Sequence, residues 1–144
     1  MLFSKKELNF EVPKVMGIIN LTPDSFSDGG KFICPKTLKT DRSKVLKEIE
    51  KMENQGAAFI DIGAESTRPN AFQISAAEEL DRLMPILDDI KNINAVVSID
   101  SSKGEVISEA IKNGVDFIND INSLKDKKAL KLVKDHNLPV CIMH

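Results

Sequence analysis

The chain has 144 residues, 42% of them hydrophobic and 29% charged, with a formal net charge of −2, which is typical of one globular domain and excludes a disordered or fibrous chain. Because it has neither a basic patch nor a basic amphipathic helix, we expect no nucleic acid and no acidic membrane surface as a partner. No apolar stretch approaches the roughly 20 residues of a membrane span, and the first residues lack the charged-then-apolar order of a signal peptide.

The first core strand ends in a polar side chain. Residues 2–12 indicate one or two short strands, and a buried strand then begins at Val15 as a short apolar run with β-branched residues. It ends at Asn20, after which residues 22–25 and 28–30 are typical of turns. Ligands bind at this end of the strands in parallel sheets, although an Asn in this position also serves simply to cap a strand.

The next part of the chain alternates between helix and strand patterns. Asp41 is predicted to cap a first helix, and a buried strand follows over residues 58–62. Ser75 and Glu78 have the spacing of a capping box for a second helix, which Pro85 should kink or end early. The side chains predicted to face the core from these two helices are Val45, Leu46, Ile49, Met52, Leu80, Leu83, Met84, Leu87 and Ile90.

The same alternation continues to the end of the chain. A strand over residues 95–100 precedes a second predicted capping box, at Ser102 and Glu105. The later elements are a strand over residues 115–119, a helix over residues 126–136 with Leu130, Leu132 and Val133 inward, and a strand over residues 140–143. Five strands separated by four helices, with crossovers long enough for parallel pairing, predict a repeated βα fold.

Polar residues follow the first four core strands at their C-terminal ends, namely Asn20, the loop at residues 66–68, Asp100 and Asn119. In a parallel fold these positions share one rim, as on the active-site face of a (β/α)8 barrel. A doubly wound sheet would concentrate its ligand groups at one switch point, and no G-x-G-x-x-G or P-loop follows any strand.

The length limits how much of a barrel the chain can form, because a complete barrel takes about 250 residues. The predicted fold is therefore α/β, the N-terminal portion of a (β/α)8 TIM barrel, from about its first strand and helix to its fifth strand. Residues 1–144 would form one incomplete barrel domain. We expect such a half-barrel to expose open sheet edges and apolar inner faces.

Asp100 and Asn119 are candidate ligands for a flat heterocycle. Alternation places Val96, Ser98 and Asp100 on one face of their strand. A carboxylate there can accept hydrogen bonds from an amino group and a ring nitrogen together, or it can cap the helix that starts near Lys103. The amide of Asn119 offers both a donor and an acceptor, or it ends a strand with a purely structural role.

Three further sets of side chains suggest anion binding, acid–base chemistry and metal binding. Thr67 and Arg68 combine a hydroxyl with a guanidinium and suit a phosphate, although a solvated Arg paired with Glu65 is the simpler alternative. Asp61 and Glu65 could pair as acid and base, or Asp61 could accept hydrogen bonds inside the barrel. Asn20 would be a neutral oxygen ligand for a hydrated Mg²⁺.

The cysteines and histidines show no catalytic or metal-binding pattern. Cys34, Cys141, His136 and His144 form neither a nucleophilic triad nor a zinc set. The two cysteines lie far apart, as expected of a protein in a reducing, cytoplasmic compartment.

Four segments resemble the signatures of one enzyme family. Residues 20–30, Asn-Leu-Thr-Pro-Asp-Ser-Phe-Ser-Asp-Gly-Gly, are similar to the first signature of dihydropteroate synthase, the folate-pathway enzyme that joins a pterin to p-aminobenzoate. Residues 61–69 resemble its second signature, with Ala64 where glycine is usual. Residues 98–103 and 117–121 resemble its third and fourth strand ends, so the resemblance covers nearly the whole chain.

The resemblance implies a role for each matching residue. Asn20 matches a residue that contacts the metal, which implies Mg²⁺ as cofactor. Thr67 matches a residue that binds the pterin diphosphate, and Arg68 belongs to the mobile second loop near the diphosphate and p-aminobenzoate. Asp100 and Asn119 match residues that hold the pterin ring. The implied activity is a transferase reaction in which the aromatic amine attacks the pterin methylene and diphosphate leaves, so no protein nucleophile is required.

The family's remaining ligand-binding groups lie on its sixth to eighth strands, which this chain does not contain. The predicted function is dihydropteroate synthase acting on dihydropterin diphosphate and p-aminobenzoate, with a C-terminal half-barrel as a necessary partner; the resemblance also allows a homodimer. One alternative is a catalytically inactive remnant or pterin-binding module. Another is a pterin-dependent methyltransferase relative, which shares the barrel but is not expected to keep residues 20–30 so fully.

Overall fold

The computed structural model describes residues 2–3, 6–23, 30–34, 36–66 and 71–143. Within these residues the main sheet has five parallel strands in the spatial order in which they occur along the chain. They are β3 (Val15–Asn20), β4 (Ala57–Gly63), β5 (Val96–Asp100), β6 (Phe117–Asp120) and β7 (Val140–Ile142). Each strand pairs in parallel with the next one, which is the order of a (β/α)8 barrel and not of a doubly wound sheet.

In the described part of the chain, four helices on the crossovers pack against the outer face of this sheet. They are α1 (Arg42–Asn54), α2 (Ala76–Leu87), α3 (Gly104–Lys112) and α4 (Lys127–Asp135), and a short 3-10 helix (Ile90–Asn92) follows α2. Strand residues such as Ile60, Val97 and Ile118 are completely buried in the larger apolar cluster, which they share with residues of all four helices. No described helix is long and apolar enough to cross a membrane.

Two predicted helix starts are confirmed. The Asp41 carboxylate accepts a hydrogen bond from the Lys44 amide of α1 at 3.2 Å. At α2, the Glu78 amide donates to Ser75 Oγ at 3.2 Å and the Ser75 amide donates to Glu78 Oε2 at 2.8 Å, which completes the capping box. Each bond pairs a backbone donor that a helix leaves unsatisfied at its first turn.

The second predicted capping box, at Ser102 and Glu105, is wrong. α3 begins at Gly104, and its N-cap residue, Lys103, makes no side-chain capping bond. The Gly104 amide instead donates to Asp126 Oδ2 at 2.9 Å, and the other oxygen of Asp126 accepts from two amides of α4. One carboxylate therefore caps two neighbouring helices, which the spacing of residues within α3 could not reveal.

Two predicted core residues are exposed. Met84 is 41% exposed and Leu130 is 50% exposed, because Ile86 in α2 and Ala129 in α4 occupy the buried positions. α2 ends at Leu87, soon after Pro85. This agrees with the early end expected from the missing amide hydrogen of proline.

The start of α3 lies so close to α4 that only glycine fits without movement. A Cβ atom on Gly104 would lie 2.7 Å from Lys128 Cβ and 3.0 Å from the Ala129 amide nitrogen. Helix propensity alone predicts that Gly104→Ala stabilises the protein. We expect instead that it lowers the free energy of unfolding by about 1–3 kcal/mol, since the two helices must move apart.

Urea unfolding of the chain measures this difference. Lys112→Ala, at the exposed end of the same helix, is the control and should change the free energy of unfolding by no more than about 0.5 kcal/mol. An increase in stability for Gly104→Ala would show that the two helices separate at no cost.

An N-terminal hairpin covers the end of the sheet where the strands begin. β1 (Leu2–Phe3) and β2 (Lys6–Glu7) pair antiparallel, as the sequence indicated. The Phe3 ring packs against Phe59 and Phe117, with ring centroids 5.4 and 5.6 Å away. Lys6 Nζ donates to Asp116 Oδ2 at 2.8 Å and to two backbone carbonyls. The hairpin therefore closes the base of the inner face and leaves the opposite end free for ligands.

The inner face is open at both sides of the sheet. Among the described residues β3 and β7 each pair with one strand only. On β3, Met16 is 39% exposed and Ile18 is 54% exposed, and both lie on the inner face, since they pair with Phe59 and Asp61. Ile142 of the edge strand β7 is also 54% exposed, but it pairs with Asp120 and lies on the outer face. The expected exposed edges and apolar inner surface of a half-barrel are thus present.

Candidate functional site

Side chains at the C-terminal ends of the strands lie in one row across the sheet. The register pairs Asn20 with Gly63, Gly63 with Asp100, Asp100 with Asn119, and Asn119 with Cys141. Paired residues of parallel strands point to the same face, and here it is the inner face, since the alternate residues are buried under the helices. The structure therefore brings Asn20, Asp100 and Asn119 to one rim.

The row contains a gap at Gly63, next to Asp100. A Cβ atom on Gly63 would lie 3.4 Å from both Cβ and Oδ2 of Asp100. A larger side chain would occupy the space beside the carboxylate. Glycine therefore leaves one side of Asp100 accessible to a ligand.

The Asp100 carboxylate lacks a hydrogen-bond donor in the described part of the chain. Its pKa is raised to about 7, first by burial and then by the negative charges of neighbouring carboxylates, which are, in decreasing order of effect, Asp61, Glu79, Asp120 and Glu65. Asp100 does not cap α3, whose N-cap residue is Lys103. A ligand that donates hydrogen bonds would therefore meet an unsatisfied carboxyl group that titrates near neutral pH.

Asp61 lies one layer deeper on the inner face, and it is 5% exposed. It accepts hydrogen bonds from Ser98 Oγ and, at 3.0 Å, from Asn119 Nδ2. Burial raises the pKa of Asp61, although both hydrogen bonds oppose the rise. Because Glu65 is bonded elsewhere, the structure does not support the acid–base pairing of Asp61 with Glu65. The alternative, that Asp61 accepts hydrogen bonds inside the barrel, is confirmed.

A cluster of three charged residues, Glu65, Lys103 and Glu79, lies beside the row. Lys103 Nζ contacts Glu65 Oε2 at 2.7 Å and Glu79 Oε2 at 2.6 Å. Burial opposes the charge of Lys103, but its bonds to the two carboxylates outweigh burial and raise its pKa. Glu79 is completely buried, and its Oε1 atom has no hydrogen-bond partner among the residues with described positions.

This cluster anchors the loop that follows β4. Glu65 lies at the start of the loop, and its Oε1 accepts a hydrogen bond at 2.9 Å from the amide of Ile74 at the end of the loop. Through Lys103 the same carboxylate is tied to the segment after β5. The roles of Lys103 and Glu79 were not predicted from the sequence. Lys103 was identified there only near the start of a helix and within residues 98–103, which resemble a strand end of the family.

Thr67 and Arg68, the predicted anion-binding pair, lie outside the described residues, as do residues 24–29 of the first motif. The described flanks of the second loop line a cavity of about 150 Å³ that reaches the row at Asp100. Its polar lining comes from Glu65, Ser66, Gln73, Asp100, Ser101, Ser102 and Asn122. A larger groove of about 670 Å³ lies beside α2 and includes none of the predicted site residues.

No described group of three or more His, Cys, Asp or Glu residues could hold a metal ion. The Asn20 carboxamide, at one end of the row, is a neutral oxygen donor of the kind that Mg²⁺ accepts, and Mg²⁺ needs few protein ligands because it keeps several waters. Cys34 and Cys141 are free thiols.

Comparisons with known proteins agree on one family. The sequence model of a family described as pterin binding enzyme matches residues 16–144. The dihydropteroate synthase of Haemophilus influenzae is 46% identical over 142 residues, which are 98% of this chain and 49% of that protein. The chain spans about half the length of this protein and of the similar dihydropteroate synthase of Escherichia coli.

Solved structures show the same relationship. The dihydropteroate synthase of Yersinia pestis with a sulfonamide drug has a TM-score of 0.90 and 41% identity over 100% of this chain and 50% of that chain. The Burkholderia cenocepacia dihydropteroate synthase complexed with 7,8-dihydropteroate has a TM-score of 0.80 and 37% identity over 98% of this chain and 44% of that chain. The predicted fold, an N-terminal portion of a (β/α)8 TIM barrel, is confirmed.

Proposed function

Because the chain belongs to the pterin-binding enzyme family, we propose that it forms the N-terminal half of a dihydropteroate synthase barrel. The reaction condenses 6-hydroxymethyl-7,8-dihydropterin diphosphate with p-aminobenzoate to give 7,8-dihydropteroate and diphosphate, a step of folate biosynthesis. The observation that carries the proposal is the row of Asn20, Asp100 and Asn119 on one rim, with an Asp100 carboxylate for which no described residue provides a donor.

Asp100 and Asn119 are the proposed ligands of the pterin ring. The exocyclic amino group and the adjacent ring N–H of a pterin are neighbouring donors, and one carboxylate can accept from both. Such donors stabilise the charged form of the carboxyl group, so binding would lower the pKa of Asp100 from its value of about 7. Asn119 supplies the mixed donor and acceptor that suit the rest of the ring edge.

The proposed diphosphate site consists of Thr67, Arg68 and a Mg²⁺ ion held by Asn20. A hydroxyl beside a planar guanidinium suits phosphoryl oxygens. The Asn20 carboxamide is free to bind the metal, because it makes no hydrogen bond with any residue in the described ranges. When bound, Mg²⁺ would supply positive charge to the departing diphosphate.

The chain's own residues would act by positioning and by electrostatics. The bond from the pterin methylene carbon to the diphosphate oxygen breaks, and the amine nitrogen of p-aminobenzoate then forms a bond to that carbon. The amine releases one proton to solvent or to the departing diphosphate. No covalent bond to the protein forms, so the contribution of Asp100 and Asn119 is to hold the ring in the geometry of attack. The other half of the barrel, in the same polypeptide or supplied separately, would complete the ring and diphosphate sites.

Two further parts of the proposal concern the cellular compartment and the oligomeric state. The free thiols of Cys34 and Cys141 support a reducing, cytoplasmic location. Homodimerisation stays a prediction from the family resemblance.

A pterin-binding module without turnover is the second candidate. It needs only the ring site, for which Asp100 and Asn119 are already paired in register on one rim. It differs from the first candidate in chemistry but not in the ring site, so binding and turnover must be measured separately.

A complementation assay tests both candidates. We define the fused barrel as residues 1–144 followed by the part of the Haemophilus influenzae enzyme beyond the matched region. With dihydropterin diphosphate, Mg²⁺ and p-aminobenzoate, we expect dihydropteroate from the fused barrel and none from residues 1–144 alone; the intact Haemophilus enzyme is the positive control.

Each other result has a distinct meaning. Turnover by residues 1–144 alone would contradict the need for a second half. Pterin binding by the fused barrel without turnover would favour the binding module. If the fused barrel neither binds the pterin nor forms dihydropteroate, the assignment is refuted.

A further inference from the structure

Asp61 is a buried carboxylate directly beneath the row of proposed ligand-binding side chains. It is in register with Ile18 on β3 and Ser98 on β5, in the layer just below Gly63 and Asp100. A carboxylate at this depth is costly unless donors satisfy it. Its hydrogen bonds are therefore needed to stabilise it, and they restrict the orientation of the side chains that donate them.

The two donors of Asp61 come from different strands. Ser98 Oγ, on the adjacent strand, donates to Oδ1, and Asn119 Nδ2, two strands away, donates to Oδ2 at 3.0 Å. An ionised carboxylate only accepts hydrogen bonds, so the NH2 group of Asn119, and not its oxygen, must face Asp61. The bond therefore selects one of the two flipped orientations of the Asn119 carboxamide.

The rest of the Asn119 carboxamide remains available. No residue with a described position donates to Asn119 Oδ1, and one N–H of its NH2 group is not used by Asp61. Asn119 is partly exposed and lies in the row with Asp100. Its oxygen is thus on the side of the carboxamide away from the buried carboxylate.

We propose that Asp61 is a positioning residue, which locks the Asn119 carboxamide so that Asn119 presents its oxygen as an acceptor to the pterin ring. This inference rests on the proposed function for its ligand, but the Asp61–Asn119 pair exists without ligand. Asp61 would not touch the substrate. It would act through Asn119, and it would favour a ring that donates a hydrogen bond at that position.

Asp61→Asn is the variant that tests the orientation of the Asn119 carboxamide separately from the size of the side chain at position 61. It keeps the size of the side chain, but an amide can donate as well as accept, so Asn119 could adopt either orientation. Ser98→Ala is the matched control, since it removes the other hydrogen bond to Asp61 and leaves the bond from Asn119 intact.

The first measurement is the side-chain amide signal of Asn119 in the ligand-free, ¹⁵N-labelled fused barrel, identified by its loss in Asn119→Ala. We expect a signal with slow hydrogen exchange in the parent and in Ser98→Ala, and rapid exchange or loss of the distinct signal in Asp61→Asn. An unchanged signal in Asp61→Asn would overturn the proposal.

The second measurement is the KM of the fused barrel for each substrate. We expect Asp61→Asn to raise the KM for dihydropterin diphosphate about 3- to 10-fold, the effect of one hydrogen bond, with an unchanged KM for p-aminobenzoate. A merely structural role would reduce the amount of active protein and lower kcat, without raising the KM for dihydropterin diphosphate alone. Equal KM values for the parent and Asp61→Asn would overturn the proposal.

The two measurements keep the inference and the proposed function apart. If the parent neither binds nor converts the pterin while its amide signal depends on Asp61 as expected, the proposed function fails and the link between Asp61 and Asn119 stands. If the parent converts the pterin but neither measurement responds to Asp61→Asn, the proposed function stands and the positioning role fails.

Discussion

Lys103→Met is expected to lower the free energy of unfolding by about 3–5 kcal/mol, the usual cost of leaving one member of a buried ion pair without its partner. Glu79 is the reason for so large an effect. It is completely buried, Lys103 lies 2.6 Å from its Oε2, and its Oε1 has no partner among the described residues. Without the lysine, the folded protein must hold an isolated carboxylate in its interior, which is costly.

Urea unfolding measures this loss of stability. Lys112→Met is the control, because Lys112 makes an exposed ion pair with Glu109 and its loss should cost no more than about 1 kcal/mol. The double variant Lys103→Met with Glu79→Gln should recover much of the lost stability, because it removes the unpaired charge. Equal losses for the two single lysine variants would show that Glu79 does not depend on Lys103.

The charged cluster also links stability to the candidate site. The lysine that compensates Glu79 holds Glu65 as well, and Glu65 in turn bonds the amide of Ile74 across the base of the second loop. The loop that carries Thr67 and Arg68 is therefore fastened at both ends to the protein interior. Fixed loop ends would help to position Thr67 and Arg68 in their proposed anion-binding role.

Local patterns in the sequence were sufficient for most of the fold. Alternation in residues 96–100 placed Val97 and Ile99 on one face and Asp100 on the other, as the structure shows, because the two-residue period of a strand depends only on the chain itself. The capping box at Ser75 was predictable for the same reason, since both of its hydrogen bonds lie within one helical turn.

Features that depend on distant contacts were not predictable from these patterns. The donor at the start of α3 bonds to Asp126, which lies 22 positions away, so the local Ser102 and Glu105 pattern was misleading. Glu79 follows the capping residue Glu78 and is indistinguishable from a surface glutamate until its contact with Lys103 is known. For the site, the strand ends predicted the common rim of Asn20, Asp100 and Asn119. The binding roles of these residues, and those of Thr67 and Arg68, stay predictions.

Asp100→Asn is expected to weaken binding of dihydropterin diphosphate to the fused barrel by about 1.5–3 kcal/mol, the range for losing a hydrogen-bonded charged partner. This corresponds to a Kd about 10- to 150-fold higher. The asparagine amide has one acceptor oxygen, so it cannot accept hydrogen bonds from both neighbouring donors of the pterin edge, and it carries no negative charge. Calorimetric titration of the ligand measures the change.

The pH dependence of that titration tests the same residue independently. The pKa of Asp100 is about 7 without ligand, and ligand donors favour the charged form. Affinity in the parent should therefore rise with pH through about 7 and then level off, whereas Asp100→Asn should show no such rise. A parallel pH dependence in the two proteins would remove Asp100 from the ring site.

The same substitution should stabilise the ligand-free protein, which separates a binding role from a structural one. Because the folded-state pKa of Asp100 lies above the ordinary value of 3.8 for an aspartate, its charge opposes folding at pH 8 and has no such effect below both pKa values, near pH 3. We expect Asp100→Asn to unfold at a higher urea concentration than the parent at pH 8, with the difference lost near pH 3. A residue that held the fold together would do the reverse, so lower affinity with higher stability identifies a carboxylate kept for its ligand; a fall in both would assign Asp100 to the structure of the barrel.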